Sequence, residues 1–495
     1  MRRLVLAALV VLVAAVGCSD DEGTAVEETT TTTTTAPVRE IPDGPAATLT
    51  PLEGGDGVFL AAAETGPSLE EAGYEEHELQ AAGTATSYAS DVPLPADGRY
   101  DLRPDQEAEY ATRVVVRRPV DPEDFNGTVV VEWLNVSGGA DAAPDYTYMA
   151  EEILRGGYAW VGVSAQRIGI EGGPVAVETP AGERSGAGQG LKGIDPERYG
   201  DLAHPGDVFA YDIYSQVGRA ARAAADGGPL DGLGVDQVLA VGESQSAFAL
   251  TTYANGVQPL TGVYDGLLIH SRGGAAAPLG EPGGYIDIGG SLGGEPTPIR
   301  PDLDVPTMIV QTEGDVLGLL GYLPARQDDS ETVRLWEIAG AAHADRFQVG
   351  AFESELGCPT PINRGQQAFV LRAALRHLAT WAAGGEPPPE ADRLEVDGDA
   401  YVLDDAGNVR GGVRTPVVDA PVEVLSGQAP EGAAIICALL GSTTPLPDET
   451  LGELYADADA YRQAYEDATD AAIEAGVVLA DDRAALLADA RDVTI

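Results

Sequence analysis

The chain has 495 residues, of which 44% are hydrophobic, and this content suits a globular protein with a sizeable core. Its 80 acidic residues far outnumber its 29 basic ones, so the formal net charge is -51. A surface of this charge repels nucleic acid and anionic lipid headgroups, which argues against both as partners. The acidic residues are spread along the chain, and this distribution favours a role in solubility over an acidic interaction tail.

The first 18 residues have the features of an export signal. A basic pair, Arg2-Arg3, precedes an apolar run over 4–16 that is too short for a membrane-spanning helix, which needs about 20 residues. The quartet Ala-Val-Gly-Cys at 15–18 resembles the lipobox of bacterial lipoproteins, in which the cysteine is lipidated. We therefore predict a lipoprotein signal peptide over 1–18 with lipidation at Cys18. An uncleaved anchor or an ordinary secretory signal is the alternative.

Two downstream features agree with export and with lipid anchoring at the outer face of the cytoplasmic membrane or the cell surface. Residues 19–40 are acidic and then nearly pure threonine, and such a composition, which cannot bury apolar surface, predicts a disordered tether. The chain has three cysteines. Once Cys18 is lipidated, Cys358 and Cys437 remain as one pair, which we predict to form a disulfide in an oxidising compartment. Two buried free thiols are the alternative.

Strands and helices alternate along the rest of the chain. Predicted strands cover 74–88, 111–119, 128–134, 158–164, 238–241, 266–270, 307–310 and 332–338. Predicted helices cover 145–155, 207–225, the segment that follows residue 244, 366–383 and two acidic, alanine-rich segments near the C-terminus. This alternation predicts an α/β fold for 41–495, as one domain with a mostly parallel central sheet, helices on both faces and a C-terminal extension.

Two glycine-rich segments interrupt the alternation, near 166–206 and near 273–301. Segments of this length are uncommon as simple connections in a compact domain, and many of them are active-site lids. We therefore predict that both segments are lid insertions and that they shape the substrate pocket.

The strongest chemical signal lies at 238–254. An apolar strand runs into the turn Gly242-Glu243-Ser244-Gln245-Ser246, and a segment with helical spacing and small residues follows. This pattern is typical of a nucleophile elbow, in which a strained turn lifts the serine Oγ above the sheet. Small residues two before and two after the serine let strand and helix approach closely, and here the second is a serine rather than the usual glycine. The pattern predicts Ser244 as a nucleophile.

A serine nucleophile needs a base, and the base needs an acid that fixes its tautomer. In hydrolases with such an elbow, the acid follows a late strand and the histidine lies in a loop beyond the last one. Asp315 follows the strand 307–310, with Glu313 as the alternative acid, and His343 follows the strand 332–338. His270 is less favoured as the base because it precedes the acid in the chain.

The oxyanion that forms on attack needs backbone N–H donors. One donor should be the N–H of Gln245, directly after the nucleophile. The other should come from the loop 135–139, from Val136 or from its neighbour Asn135, although a plain turn is the alternative interpretation of this loop. The sequence indicates neither a metal nor an organic cofactor, since no His/Cys cluster is present and the acidic residues near 397–405 lack the spacing of a calcium loop.

Several motifs resemble those of the large bacterial α/β-hydrolase-domain proteins of unassigned substrate. The motifs are Glu-Trp-Leu-Asn-Val-Ser-Gly-Gly at 132–139, Tyr-Gly at 199–200, His-Pro-Gly-Asp at 204–207, Gly-Glu-Ser-Gln-Ser-Ala at 242–247, Gln-Thr-Glu-Gly-Asp at 311–315 and Gly-Gly-Val-Arg-Thr-Pro at 411–416. They cover most of the chain from about residue 74 onward. The resemblance implies an α/β-hydrolase fold and serine-hydrolase chemistry, with Ser244, Asp315 and His343 as the catalytic triad.

These observations favour a carboxylic-ester hydrolase that acts through an acyl-enzyme on a small-molecule ester-type substrate. Contact with the membrane would be through the lipid anchor only. An amidase or peptidase with the same triad is one alternative, and a non-catalytic binding lipoprotein on the same fold is another. The intact order of serine, acid and histidine speaks against the latter. No feature of the sequence indicates an oligomeric state.

Overall fold

A computed structural model of the protein describes residues 41–61, 66–180, 182, 186–224 and 228–495. The predicted signal peptide over 1–18, its Cys18 and the predicted tether over 19–40 lie outside these residues. The described residues belong to one structural unit. No helix in the described ranges is both long enough and apolar enough to cross a membrane.

A nine-stranded sheet forms the centre of the protein. Its strands are β1 (Thr48–Pro51), β2 (Tyr74–Ala89), β3 (Arg103–Pro119), β4 (Thr128–Trp133), β5 (Ala159–Val163), β6 (Gln237–Glu243), β7 (Gly266–His270), β8 (Thr307–Thr312) and β9 (Val333–Ile338). Their order is β1-β2-β3-β5-β4-β6-β7-β8-β9, and the last six in this order pair in parallel. The prediction of a mostly parallel central sheet is therefore confirmed.

The antiparallel edge of the sheet differs from the prediction. β3 begins at Arg103, eight residues before its predicted start, and pairs along almost its whole length with β2. The first half of β3 is exposed and polar, so it lacks the apolar pattern by which the second half was recognised. β1, which was not predicted, adds to the outer edge of β2 with a mostly exposed surface.

Five longer helices accompany the sheet: α1 (Pro144–Arg155), α2 (Ala210–Ala223), α3 (Gln245–Thr252), α4 (Gln367–Ala382) and α5 (Ala458–Glu474). Alternate residues of β6 enter opposite halves of the core. Leu239 and Val241 pack with α1 and α4, whereas Val238 and Ala240 pack with α2 and α3. Helices therefore cover both faces of the sheet, as predicted.

Shorter helical turns lie at Arg167–Glu171, Gly190–Ile194, Pro196–Tyr199, Gln258–Thr261, Ile288–Ser291, Glu313–Val316, Arg346–Val349, Glu353–Leu356, Pro416–Asp419, Ile435–Leu439, Asp448–Leu454 and Arg483–Ala488. Two small hairpins, β10 (Val396–Asp397) with β11 (Ala400–Tyr401) and β12 (Glu423–Ser426) with β13 (Ser442–Pro445), lie in the C-terminal part.

The C-terminal part is tied to the segment between β9 and α4 by covalent and polar contacts. Cys358 and Cys437 form a disulfide with Cα atoms 5.5 Å apart. Gln366, directly before α4, donates a hydrogen bond to the hydroxyl of Tyr465 in α5 at 2.7 Å. These contacts join the segment between β9 and α4 to the C-terminal part of the chain.

The two glycine-rich segments contact each other and the loop after β4. In the first, the N–H groups of Ala176 and Val177 donate to the carbonyl of Ser137 at 3.0 and 2.9 Å. In the second, the hydroxyl of Tyr285 donates to the carbonyl of Gly172 at 3.1 Å. Both segments thus pack beside the carboxyl ends of the parallel strands, where ligands bind in folds of this kind.

Candidate active site

Ser244 lies in the sharp turn between β6 and α3. Its φ of 57° and ψ of -120° fall in a region that costs a non-glycine residue about 1–3 kcal/mol. The turn is tight, since a Cβ on Gly242 would come within 2.9 Å of Leu250 and 3.1 Å of the Ser246 Cβ. Gly242 thus provides the close approach of strand and helix, which leaves room for a serine rather than a glycine at 246.

Three predicted residues come together at the carboxyl ends of β6, β8 and β9. The Oγ of Ser244 lies 2.9 Å from Nε2 of His343. On the other side of the ring, Nδ1 of His343 lies 2.7 Å from Oδ1 of Asp315. A carboxylate only accepts hydrogen bonds, so Nδ1 carries the proton and Nε2 is left to accept the hydroxyl proton of the serine.

The carboxyl group of Asp315 is completely buried but well supplied with donors. Its Oδ2 accepts hydrogen bonds from the N–H of Thr312 at 2.7 Å and from the hydroxyls of Thr312 and Ser271, both at 2.8 Å. Burial alone would raise the pKa of Asp315, but His343 and these donors outweigh it, so the pKa lies below its ordinary value. The group is therefore ionised and can stabilise a positive charge on the histidine.

The alternative acid, Glu313, does not contact His343. Its carboxylate accepts hydrogen bonds from the N–H groups of Gly340 at 3.0 Å and Gly427 at 2.9 Å, and from the hydroxyl of Ser426 at 3.2 Å. Burial raises the pKa of Glu313 to about 7, and these donors oppose the rise. Glu313 thus ties the loop after β9 to the C-terminal part of the chain.

The predicted oxyanion donors differ in their availability. The N–H of Gln245 stands at the first position of α3, where a helix offers no internal acceptor. The N–H of Val136 donates to the side-chain oxygen of Gln245 at 3.3 Å. The N–H of Asn135 donates to the carbonyl of Ala142 at 2.9 Å in a local bridge, so it is not free to bind an oxyanion.

A line of amide side chains holds Gln245 in place. Its Nε2 donates to the side-chain oxygen of Gln166, which also accepts from Nε1 of Trp133 at 3.1 Å. Gln166 in turn donates to Asp207 at 3.3 Å, and Asp207 accepts from the N–H of Ile286 at 2.7 Å. Sequence reasoning missed this line, although Asp207 stands in one of the quoted motifs. It connects both glycine-rich segments to the elbow.

Glu243, the residue before the nucleophile, was also missed. Its side chain is 4% exposed, and Oε1 lies 3.3 Å from Nε2 of His343. The side-chain amide of Asn135 donates to the other oxygen, Oε2, at 3.1 Å and to the backbone carbonyl of Glu243 at 3.2 Å. A carboxyl residue next to the serine of an elbow is the sequence signal that could have pointed to this contact.

His270 makes its contact away from the serine. Its Nδ1 lies 2.9 Å from Oδ1 of Asp145 in α1, and both side chains are completely buried. The ring also meets Tyr148 edge-on, with centroids 5.7 Å apart. Within the described ranges, no group of three or more His, Cys, Asp or Glu side chains is arranged to hold a metal ion.

The sheet order, the elbow and the residues at the strand ends define an α/β hydrolase. Residues 44–488 match the model of the family described as "Alpha/beta hydrolase domain", and the chain belongs to this family. No curated protein matches the sequence.

Three solved structures are among those to which the chain is similar. One, from a study of two fungal esterases of Rhizomucor miehei, is 12% identical, covers 64% of this chain and 88% of its own, and has a TM-score of 0.29. The esterase Est22 is 14% identical, covers 64% and 82%, and scores 0.32. An alpha-beta serine hydrolase homologue from Coxiella burnetii is 13% identical, covers 54% and 92%, and scores 0.29.

Proposed function

We propose that the protein is a serine hydrolase that cleaves a carboxylic ester of a small molecule through an acyl-enzyme. The observation that supports this proposal most directly is the hydrogen-bonded series from Ser244 Oγ to His343 Nε2 (2.9 Å) and from His343 Nδ1 to Asp315 (2.7 Å). Membership of the α/β hydrolase family supports hydrolysis in general. The ester class and the roles of the three residues are our proposal.

In this mechanism Ser244 attacks the carbonyl carbon of the ester while its proton passes to Nε2 of His343. Asp315 remains ionised and stabilises the imidazolium. When the tetrahedral intermediate collapses, the bond to the alkoxy group breaks and the leaving alcohol takes the proton from His343. Water then repeats the sequence on the acyl-serine, so the products are one alcohol and one carboxylic acid, and the serine is restored.

The negative oxygen of the intermediate would be bound by the N–H of Gln245 and by the N–H of Val136. For the second donor, the substrate oxygen must replace the side-chain oxygen of Gln245, which lies 3.3 Å from Val136 N. Loss of one such donor typically lowers turnover by about 10²–10³-fold. Before substrate binds, the N–H of Val136 therefore donates to the side-chain oxygen of Gln245, and the carbonyl oxygen of the substrate takes the place of that oxygen.

Labelling with a fluorophosphonate, together with hydrolysis of a short nitrophenyl ester and of the matching nitroanilide, tests this function. Wild-type protein should be labelled and should hydrolyse the ester, and Ser244→Ala and His343→Ala should lose both properties. Ser246→Ala is the matched control, because the Ser246 hydroxyl is buried and has no hydrogen-bond partner among the residues that the structure describes. This variant should keep both.

The other outcomes contradict the proposal in distinct ways. Preference for the anilide over the ester would make the protein an amidase with the same triad. A folded wild-type protein that is neither labelled nor active would lack hydrolase function, and the binding-lipoprotein hypothesis would take its place.

We also propose that the protein is exported and held at the outer face of the cytoplasmic membrane or the cell surface by lipid on Cys18. The quartet at 15–18 and the disulfide between Cys358 and Cys437 support this location, since disulfides persist in oxidising compartments. After expression in a bacterial host fed an alkyne fatty acid, the wild-type protein should carry the label and sediment with membranes. Cys18→Ser should do neither, and membrane-bound, unlabelled wild-type protein would refute lipidation.

A further inference from the structure

Nε2 of His343 has two oxygen neighbours rather than one. Ser244 Oγ lies 2.9 Å away, and Oε1 of Glu243 lies 3.3 Å away. Glu243 is the last residue of β6, and its carboxyl group is held in place by the side chain of Asn135, whose own oxygen accepts from the N–H of Ser137 at 2.7 Å. The contact with the histidine is therefore built into the strand end and the loop after β4.

The chemistry of an imidazole gives this contact a consequence. Nε2 offers either one lone pair or one N–H. A proton shared between Glu243 and His343 lies on Oε1 or on Nε2, and in both cases it occupies the position that the proton of Ser244 must take. The histidine can act as a base only when the pair has lost this proton. Once Ser244 has attacked, the new N–H of the imidazolium faces the Glu243 carboxylate.

We propose that Glu243 is a second carboxylate partner of His343, which stabilises the imidazolium at Nε2 as Asp315 does at Nδ1 and which sets the pH at which the triad becomes active. This inference rests on the proposed serine-hydrolase function. Glu243 contacts the nitrogen that carries the proton in that reaction, so its effect should appear in the pH dependence and in the maximal rate together.

Burial, rather than the charged groups that face Glu243 from the neighbouring elements, brings its pKa into the neutral range. Burial raises the pKa of Glu243 to about 7. His343 and, from β7, His270 lower that pKa, whereas Asp145 of α1 and Asp315 after β8 raise it. Nδ1 of His270 lies 2.9 Å from Oδ1 of Asp145, so these two groups, which shift the pKa of Glu243 in opposite directions, lie side by side.

Two further groups on this face have raised pKa values. Burial and the charge of Asp145 raise the pKa of Glu132 in β4 well above its ordinary value. Burial likewise raises the pKa of Tyr148 well above its ordinary value. For His343 itself, burial lowers the pKa, but Asp315 and Glu243 outweigh it and leave the pKa raised. Glu243 and His343 therefore form a coupled pair, in which each group shifts the pKa of the other.

The test compares Glu243→Gln with wild-type protein. The rate of fluorophosphonate labelling is measured between about pH 5 and about pH 9. Removing the carboxylate should move the acidic limb of the profile about one unit lower. The plateau rate should fall about tenfold, because the imidazolium loses a partner.

Glu313→Gln is the matched control. Glu313 is also buried, with a pKa raised to about 7, but its carboxyl group accepts hydrogen bonds from Gly340, Gly427 and Ser426 and not from His343. The labelling profile of Glu313→Gln should keep the acidic limb of the wild type. A Glu243→Gln profile that matches the wild type in limb and plateau would overturn the inference. If Glu243→Gln does not fold, Glu243→Asp takes its place, and its acidic limb should lie below that of the wild type because the shorter carboxylate moves away from His343. An acidic limb identical to that of the wild type would again overturn the inference.

A second measurement separates this inference from the proposed function. In protein labelled with ¹³C at the histidine Cε1, NMR follows the titration of His343, which is assigned by its loss in His343→Ala. The pKa of His343 should be lower in Glu243→Gln, whether or not the protein is labelled by the probe. An unlabelled wild type with this shift would refute the hydrolase function alone, and an unshifted His343 would refute the role of Glu243.

Discussion

Replacing Asp315 with asparagine isolates its action on His343, because the change keeps the shape of the side chain. Oδ2 of Asp315 accepts three hydrogen bonds, from the N–H and hydroxyl of Thr312 and from the hydroxyl of Ser271. An amide NH₂ in that position would face these donors, so the amide oxygen should remain there and the NH₂ should face Nδ1 of His343. Nδ1 would then accept, Nε2 would carry the proton, and Ser244 would lose its base.

The expected size of the effect follows from this change of tautomer. The corresponding change in a serine protease triad lowers turnover about 10⁴-fold, which corresponds to about 5 kcal/mol of transition-state stabilisation. Asp315→Asn should therefore be labelled by the fluorophosphonate about 10⁴-fold more slowly than wild type. The prediction is checked by measuring the labelling rate and the ester turnover of Asp315→Asn and of wild type, with Ser244→Ala as the inactive control.

Glu313→Gln decides between the two candidate acids. Glu313 contacts backbone N–H groups and Ser426 but not His343, so its variant should stay within about tenfold of wild type once circular dichroism shows that it is folded. The reasoning is refuted if Glu313→Gln is as inactive as Ser244→Ala while Asp315→Asn keeps its rate. Glu313 would then be the acid.

The oxyanion loop, the disulfide and the buried Glu313 each provide a further test. Gln245→Glu would place a carboxylate at the N–H of Val136, so ester turnover should fall about 10²–10³-fold; unchanged turnover would exclude Val136 as a donor. The disulfide joins cysteines 79 residues apart. Reduction of this bond should lower the free energy of unfolding by about 4 kcal/mol, and dithiothreitol should lower the Tm of wild type but not of Cys358→Ser. Burial raises the pKa of Glu313 to about 7, above its unfolded value, so the folded state favours the protonated form. The free energy of unfolding should therefore fall as pH rises from about 4.5 to about 7, and denaturant titrations of Glu313→Gln should lack this part of the slope.

The parallel part of the sheet could be predicted because its strands are buried on both faces. β4 and β8 are buried along their whole length and contain the apolar runs 129–131 and 308–310. The first half of β3 carries polar residues and is held by pairing with β2, which is distant in the chain. The extent of β3 depends on that pairing rather than on its own composition. The strand predicted from the sequence therefore starts eight residues after the true start at Arg103.

For the candidate site, the order of elements predicted positions but not hydrogen bonds. Ser244, Asp315 and His343 each follow a parallel strand, and parallel strands place their carboxyl ends at one edge of the sheet. The choice between Asp315 and Glu313, two residues apart, depends on how the turn after β8 directs each side chain. The engagement of Asn135 N by Ala142 depends on a local bridge that no spacing rule reveals.

Glu243 shows where more could have been inferred from strand periodicity. Side chains alternate along β6, so Glu243 lies on the same face as Leu239 and Val241. Glu243 is paired in register with His270 of β7, whose side chain therefore lies beside it on that face. The sequence alone could therefore have predicted that Glu243 lies beside His270, once β6 and β7 were recognised as neighbouring strands. The contact with His343 could not be predicted, because it depends on a loop fixed by hydrogen bonds from Asn363 to the carbonyls of Gly340 and Ser426. The pH dependence of the reaction would then be set jointly by the strand, which fixes the carboxylate, and by the C-terminal part of the chain, which fixes the histidine.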